Sequence, residues 1–587
     1  MSTDVKNSGY PSVDKPWNRY FRACDGGKEM ELPKETILEY LKLCNADNMD
    51  GNALDFFGHT ISYRDFFDRI ENLAKALLAS GVKPGDIVSI VTSSSVESYE
   101  LMYACNRIGA VFNFVNFLTD HNTMVRFFQD SEADHVFCLD LFADKAMKAA
   151  EEAGFAKKYI VFSLGDEMPE EVAKVYSAGN ASMDRSFYDD PKVMEYKEFK
   201  KLGEGQPDIT FRKDPETACA MVYTGGTSGI PKPVLLKDLS LNANAAVYRH
   251  YQPLPEGPAY CINTIPAVFA FGCNGGMHTP MCSKATQAIM PKFEPEKWPE
   301  YFKEYNPAYV VAVPAFINPM LSDPRMEGVD MSNLVILGIG GDGCTTTFEE
   351  NVNAYIKAHG CRTEMVKGYG MSEVGAAATT TYPPYICKGD VPVNAVGSVG
   401  FPHPMNEFVI WDNEKQQECR YNEIGEVCLR CPTEMIGYKD REEETEAIYQ
   451  THPDGKRWIH SSDLGYFNED GLLFITGRMK RLIVTVHEGA VYKVYPSIPE
   501  EALALHPAVS EVCVVGMKND KENKLKAFIS LRSDAEKEEK SEIEKELREI
   551  AEKELSDHEQ PKVYEFRKSL PLTDEGKVDY RLLEKQA

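Results

Sequence analysis

The chain has 587 residues, a formal net charge of −27 and 43% hydrophobic residues. That length calls for roughly two to four domains, and that apolar content fills a large core; the charge argues against a general binder of nucleic acid or anionic membrane, both negative surfaces. The N-terminal ten residues hold no signal-peptide segment, no apolar run reaches the ~20 residues of a membrane span, and fifteen scattered cysteines fit reduced thiols in a cytoplasmic protein better than a disulfide framework.

In chain order, Ser62 with Asp65 predicts a helix start, and Phe66, Ile70, Leu73 and Leu77 recur at helical spacing up to Gly81. Pro84-Gly85-Asp86 reads as a turn before a strand over Ile87–Val91. Ser93 to Ser95 open a helix through Ile108, and strands follow over Val111–Val115 and His135–Leu139. Strand–helix–strand repetition predicts an α/β class with a parallel sheet covered by helices. Residues 165–210 are polar and poor in aliphatic side chains, and are expected as a surface insertion. Regular alternation resumes to about 400, shorter β-rich segments run to about 475, and the last hundred residues form their own unit with a charged helix over 535–555. The one Cys-x-x-Cys, Cys428 and Cys431, lacks a second pair and reads as ordinary strand rather than a metal site.

Residues 221–232, MVYTGGTSGIPK, carry the strongest chemical signal. A hydrophobic strand over 219–223 runs into a loop where Gly225, Gly226 and Gly229 permit positive φ and inward-facing amides. Such a concavity binds anions, Thr224, Thr227 and Ser228 add hydroxyl donors, and Lys232 adds a cation. The parts suit a polyphosphate, but the Gly-Lys-Ser/Thr ending of a Walker loop is missing. The loop closely resembles the phosphate loop of the adenylate-forming superfamily, which includes acyl-CoA synthetases, with Gly225 for the usual Ser, Ser228 for Thr and Pro233 for the final Gly.

Five further segments resemble that superfamily in the same order. The strand expected over 334–337 leads into Gly338-Ile-Gly-Gly-Asp-Gly343, where the resemblance implies Gly341 and Asp342 beside adenine. In Lys367-Gly-Tyr-Gly-Met-Ser-Glu373 it implies Tyr369 and Gly370 on adenine, Ser372 on phosphate and Glu373 on Mg²⁺. It further implies Asp463 on the ribose hydroxyls, Arg478 on ribose or phosphate oxygens, and Lys577, in a Pro-x-Thr-x-x-Gly-Lys-type stretch, as the catalytic lysine. The acyl pocket is expected around Phe269 and Phe271, with Gly340 and Gly368. No acidic residue in 266–272 is present to meet a substrate amino group, so a fatty or aromatic acid is favoured over an amino acid.

The implied architecture is a large N-terminal domain of layered α/β sheets with a β-rich subdomain, over 1–477, and a small mobile α+β domain over 478–587. The implied reaction is ATP-dependent, forms acyl-AMP and passes the acyl group to coenzyme A, with Lys480 as hinge. A hairpin with arms 482–487 and 490–495 turns at Glu488-Gly489, and Gly489 is the implied thiol site. The hairpin is longer than the family's usual one, and an even insertion of about two residues per arm preserves the face of each side chain. Loading of a carrier protein and a non-catalytic nucleotide-binding relative stay open as alternatives, as does a homodimer.

Overall fold

The computed structural model describes residues 8–25, 30–225, 231–341, 343–383, 394–487, 489–517, 522–532, 535, 540–573 and 577–587. The sequence signals become elements through local chemistry. Ser62 caps the helix Tyr63–Ala79, its Oγ accepting the Asp65 amide at 3.1 Å, and Phe66, Ile70, Leu73 and Leu77 are buried along one stripe. Gly81 then takes φ +101°, which ends the helix at little steric cost. Ser95 caps the next helix, Val96–Arg107, in the same way.

Two large sheets follow from this alternation. One has eight strands, with Ile87–Val91 at its centre, Val111–Val115 and then Ala218–Tyr223 on one side, and His135–Leu139 and Lys158–Phe162 on the other. These pair in parallel; at one edge Pro233–Lys237 alone runs against the rest, pairing antiparallel with Ala218–Tyr223 on one side and with Gly437–Tyr438 on the other. The second sheet has seven strands and is parallel from Val366–Lys367 across to Asn52–Phe56. A third, six-stranded antiparallel sheet carries Gly425–Arg430, Arg457–Phe467 and Leu473–Arg478. Beyond it, Val509–Gly516, Leu525–Leu531 and Val563–Arg567 form a small sheet flanked by the helices Ser497–Ala504 and Lys540–Glu554. Among the described residues no helix is long and apolar enough to cross a membrane.

Several sequence expectations shift. The strand expected over 334–337 lies at Ile336–Ile339, because a turn with Leu334 N–H on Met331 O takes up the preceding residues before Ile336 meets Tyr309 in register. The segment 165–210 is not all surface insertion. Its helix Glu170–Gly179 buries nothing, but Val193–Glu195 extends the eight-stranded sheet, and the next helix buries Tyr196 and Phe199. Those two aromatics supply the apolar burial that the low aliphatic content hid. Of the charged helix expected over 535–555, Lys540–Glu554 is helical, Ala535 lies in a turn and 536–539 fall outside the described residues. The hairpin arms are Ile483–His487 and Ala490–Val494, paired throughout, with Gly489 at φ +80° in the turn and Glu488 outside the described residues.

A buried ion pair ties the first sheet to its covering helices. Asp238 opens the helix Asp238–Tyr251 and accepts the Ile37 amide at 2.8 Å, Asn106 Nδ2 at 2.6 Å and the Lys213 ammonium. Both charged side chains are almost wholly out of water. Removing one partner strands the other's charge, which typically costs about 3–5 kcal/mol. Lys213→Met is therefore expected to lower the melting temperature steeply, and adding Asp238→Asn should recover part of the loss. Thermal melts of the two variants check this; an unchanged single variant would contradict it.

Candidate active site

The phosphate-type loop is closed at its neck. Thr224 N–H donates to Lys232 O at 3.0 Å, and Lys232 N–H donates to Thr224 Oγ1 at 3.0 Å. The strand Ala218–Tyr223 delivers this neck, and Gly225 follows it half-buried. Gly226, Thr227, Ser228 and Gly229 lie outside the described residues, as does Asp342. Lys232, expected on phosphate, has its ammonium 3.1 Å from Glu444 Oε2 and 4.6 Å above the Tyr438 ring. A polyanion arriving at the loop would compete with Glu444 for this cation.

Ser372 and Glu373 sit directly beneath the neck. Ser372 Oγ donates to Tyr223 O at 3.1 Å. Glu373 is buried, and its Oε1 accepts the Tyr438 hydroxyl at 2.6 Å, while its carbonyl accepts the Met435 amide at 2.7 Å. The burial and the Glu373 carboxylate together push the Tyr438 phenol far up, so it stays a donor. A fixed carboxylate beside an anion cradle is the donor chemistry a hard cation such as Mg²⁺ requires.

The second half of the site centres on Asp463. Tyr369 O–H donates to Asp463 Oδ2 at 2.8 Å, and Arg478 Nε lies 2.9 Å from Oδ1. Asp463 and Arg478 face each other in register across adjacent strands. Burial raises the Asp463 carboxyl above its ordinary value, while Arg478, Tyr369 and Lys577 pull against that rise. Lys577 therefore lies within electrostatic reach of Asp463. Its backbone carbonyl accepts Thr573 N–H at 2.7 Å. Tyr369, expected to stack on a base, is buried and also bound by its hydroxyl to the carboxylate.

Backbone contact explains the glycines here. A Cβ on Gly370 would lie 1.7 Å from Ala376 O, and one on Gly368 2.7 Å from Thr379 O. Gly340 faces the Phe271 ring, which a Cβ would meet at 3.2 Å, and Gly341 takes φ +84°. Phe271 opens a π-helical stretch, Phe271–His278, a distortion frequent at functional sites. Phe269 is half-buried against the main core. Lys480 sits exposed in the short turn Met479–Arg481, and Gly489 is exposed at the hairpin turn.

Sequence reasoning missed Tyr438 and Glu444. The only signal for them was a Gly-Tyr pair and an acidic run after it, 65 and 71 residues beyond Glu373, which no spacing rule connects to the loop.

The AMP-binding enzyme family model matches residues 43–439, and the model for the C-terminal domain of AMP-binding enzymes matches 499–577. Among curated proteins, the long-chain-fatty-acid–CoA ligase of Bacillus subtilis (strain 168) is 26% identical over 579 residues, covering 97% of this chain and 98% of that protein. The fatty acid–[acyl-carrier-protein] ligase ScoC of Streptomyces coeruleorubidus is 26% identical, covering 89% and 90%. Among solved structures, the anthranilate CoA ligase AuaEII in complex with anthranoyl-AMP superposes with a TM-score of 0.79 at 20% identity, covering 95% of this chain and 98% of that one.

Tyr369→Phe removes the donor to Asp463 and keeps the ring. A hydrogen bond to a charged group contributes about 1.5–3 kcal/mol. AMP affinity at neutral pH, measured by titration calorimetry, is expected to fall on the order of 10- to 100-fold; unchanged affinity would show that the Tyr369–Asp463 contact does not shape the site.

Proposed function

The chain belongs to the AMP-binding enzyme family, and from that premise we propose that it activates a carboxylic acid as acyl-AMP and transfers the acyl group to the thiol of coenzyme A. The observation that carries this reading is the buried Asp463 carboxylate, bound by the Tyr369 hydroxyl at 2.8 Å and by Arg478 Nε at 2.9 Å.

A carboxylate is a poor acyl donor because oxide would have to leave. In the first step a carboxylate oxygen attacks the α-phosphorus of ATP and pyrophosphate departs. The Thr224–Lys232 loop holds the β- and γ-phosphates, with Lys232 released from Glu444. Asp463 accepts the ribose hydroxyls, with Arg478 beside it, and Tyr369 borders adenine. Lys577 stabilises the charge shared between the carboxylate and the α-phosphate. Mg²⁺, if bound at Glu373, supplies neutralising charge to the phosphates. In the second step the thiol sulfur attacks the acyl carbonyl carbon, its proton is lost and AMP leaves.

The division into 1–477 and 478–587, with Lys480 as hinge, belongs to the same proposal. A swing about that point withdraws Lys577 and brings the hairpin with Gly489 towards the adenylate. Phe269 and Phe271, together with the fatty-acid relatives, support an apolar acyl pocket for a fatty or aromatic acid. The carrier-protein ligase among the relatives favours a second reading, in which the thiol belongs to a phosphopantetheinyl carrier.

Loss of one preorganised charge of this kind costs about 10²–10³-fold in rate. Lys577→Ala is expected to lose ATP–pyrophosphate exchange by that factor, yet to convert synthetic acyl-AMP and coenzyme A to thioester at a rate near that of the unsubstituted enzyme. Retained exchange would overturn the role of Lys577. Thioester formed with a holo-carrier protein and none with coenzyme A would favour the second reading.

A further inference from the structure

One titratable cluster is not used by the reaction above. Cys428, His452 and His460 are buried, and one potential ligand atom from each lies within 4.8 Å of the others. Cys428 and His460 are direct cross-strand neighbours on Gly425–Arg430 and Arg457–Phe467. His452 follows the adjacent strand Tyr449–Thr451, and its backbone is held by the turn to Lys456. The two imidazoles point at each other, Nε2 to Nε2, at 2.9 Å.

The arrangement around the cluster orients these atoms. His460 Nδ1 donates to Glu426 Oε2 at 2.7 Å, which turns the Nε2 lone pair towards His452 and the Cys428 sulfur. Glu426 is itself held by the Ser462 amide at 2.9 Å and by Asn413 Nδ2 at 2.7 Å. A carboxylate behind a histidine is the usual outer support of a metal-binding imidazole. On the other side, the buried Trp411 ring stacks on His452 at 3.8 Å between centroids, and buried Trp458 lies beyond it. These rings form an apolar wall on one side of His452.

We propose that Cys428, His452 and His460 form a binding site for a borderline-soft divalent cation, Zn²⁺ by donor chemistry. One thiolate and two imidazoles match tetrahedral zinc, with Zn–S of about 2.3 Å and Zn–N of about 2.0–2.1 Å. Those bond lengths set neighbouring ligand atoms about 3.3–3.7 Å apart at tetrahedral angles. The site therefore forms if the two Nε2 atoms, 2.9 Å apart, open by a few tenths of an ångström and the Cys428 sulfur, which starts within 4.8 Å of them, swings in to bonding distance. Binding displaces the thiol proton and the proton shared between the imidazoles, and a water takes the fourth position. The cation would lie three residues from Asp463 on the same strand. It would thereby stiffen the bulge at Ser462 that aims Asp463 at the nucleotide. Cys431, the other member of the Cys-x-x-Cys, is not part of the cluster.

The test uses the full-length protein, stripped with chelator and reloaded with Zn²⁺ or Co²⁺. One tightly held equivalent is expected by elemental analysis after gel filtration, with thiolate-to-cobalt charge-transfer absorption in the Co²⁺ form. Cys428→Ser should lose that absorption and His452→Gln should weaken binding at least about 10-fold, whereas Cys431→Ser should retain both. X-ray absorption on Zn-loaded wild type needs no variant, and one sulfur with two imidazoles is expected in the shell. No retained metal, an all-sulfur or all-oxygen shell, or binding that survives Cys428→Ser and His452→Gln together would overturn the proposal and leave an apolar-walled histidine hydrogen bond.

Discussion

A single buried carboxylate sets the arrangement of the functional half of this molecule. Asp463 is removed from water, which penalises its charge. The penalty is offset by groups from three other places in the chain: the Tyr369 hydroxyl, the Arg478 guanidinium and the distant cation of Lys577. Because the two bonded partners come from different segments, the 367–373 segment and the strand Leu473–Arg478 are joined at one carboxylate. The strand carrying Asp463 is bent for the purpose. Ser462 takes φ +61°, uncommon for a residue other than glycine, and the pairing slips between Glu426 and Cys428. Glu426 braces that bulge from behind by accepting both Ser462 N–H and His460 Nδ1–H.

The walls of the expected acyl pocket and the nucleotide segment form one rigid piece, and glycine makes that possible. Gly375 has φ +77°, and a Cβ there would lie 2.3 Å from Ser240 O. The carbonyl of Gly375 accepts Asn274 Nδ2 at 2.6 Å from the π-helical stretch, and Asn274 Nδ2 also reaches Ser240 O at 3.3 Å. Thus the stretch after Phe271, the helix Asp238–Tyr251 and the turn after Glu373 meet through backbone carbonyls around one buried amide. Packing this tight transmits displacement rather than absorbing it. An acid that shifts Phe271 would press on the segment bearing Ser372 and Glu373.

The parallel core was legible in the sequence because its signals are local. Capping residues and helical or alternating apolar spacing gave Tyr63–Ala79, Ile87–Val91, Val111–Val115 and His135–Leu139 at or near their observed bounds. The edge strand Val193–Glu195 was not legible, since its support comes from two aromatic residues in the next helix rather than from its own pattern. Of the expected site, the glycine loop stood out by composition, whereas the 367–373 segment was read through its resemblance to the superfamily. Tyr438 and Glu444 did not, because their link to Glu373 and Lys232 exists only once an antiparallel strand folds back onto Pro233–Lys237. Cys428 shows the same limit in sharper form. Its sequence neighbour Cys431 lies an odd number of residues away along extended chain, which turns the two to opposite faces. Its spatial neighbours, His452 and His460, arrive on other strands of the sheet.

The C-terminal region carries its own apolar interior, and this bears on how it can move. The cluster around Leu503, Ile529 and Leu547, and the smaller one around Phe528 and Leu583, are built wholly from residues after 480. Its ties to the larger part include polar and solvent-facing ones. Glu501 caps the helix Thr346–Ala358 by accepting the Thr346 amide and hydroxyl at 2.8 and 2.7 Å, and Lys493 meets Glu414 in an exposed pair. A capping contact contributes about 1 kcal/mol and an exposed ion pair about 0–1 kcal/mol. Breaking such contacts leaves both interiors intact, and water satisfies the freed groups. If the region swings about the Met479–Arg481 turn, as proposed, the motion trades weak polar contacts for hydration, whereas a swing across a shared apolar core would have to expose it.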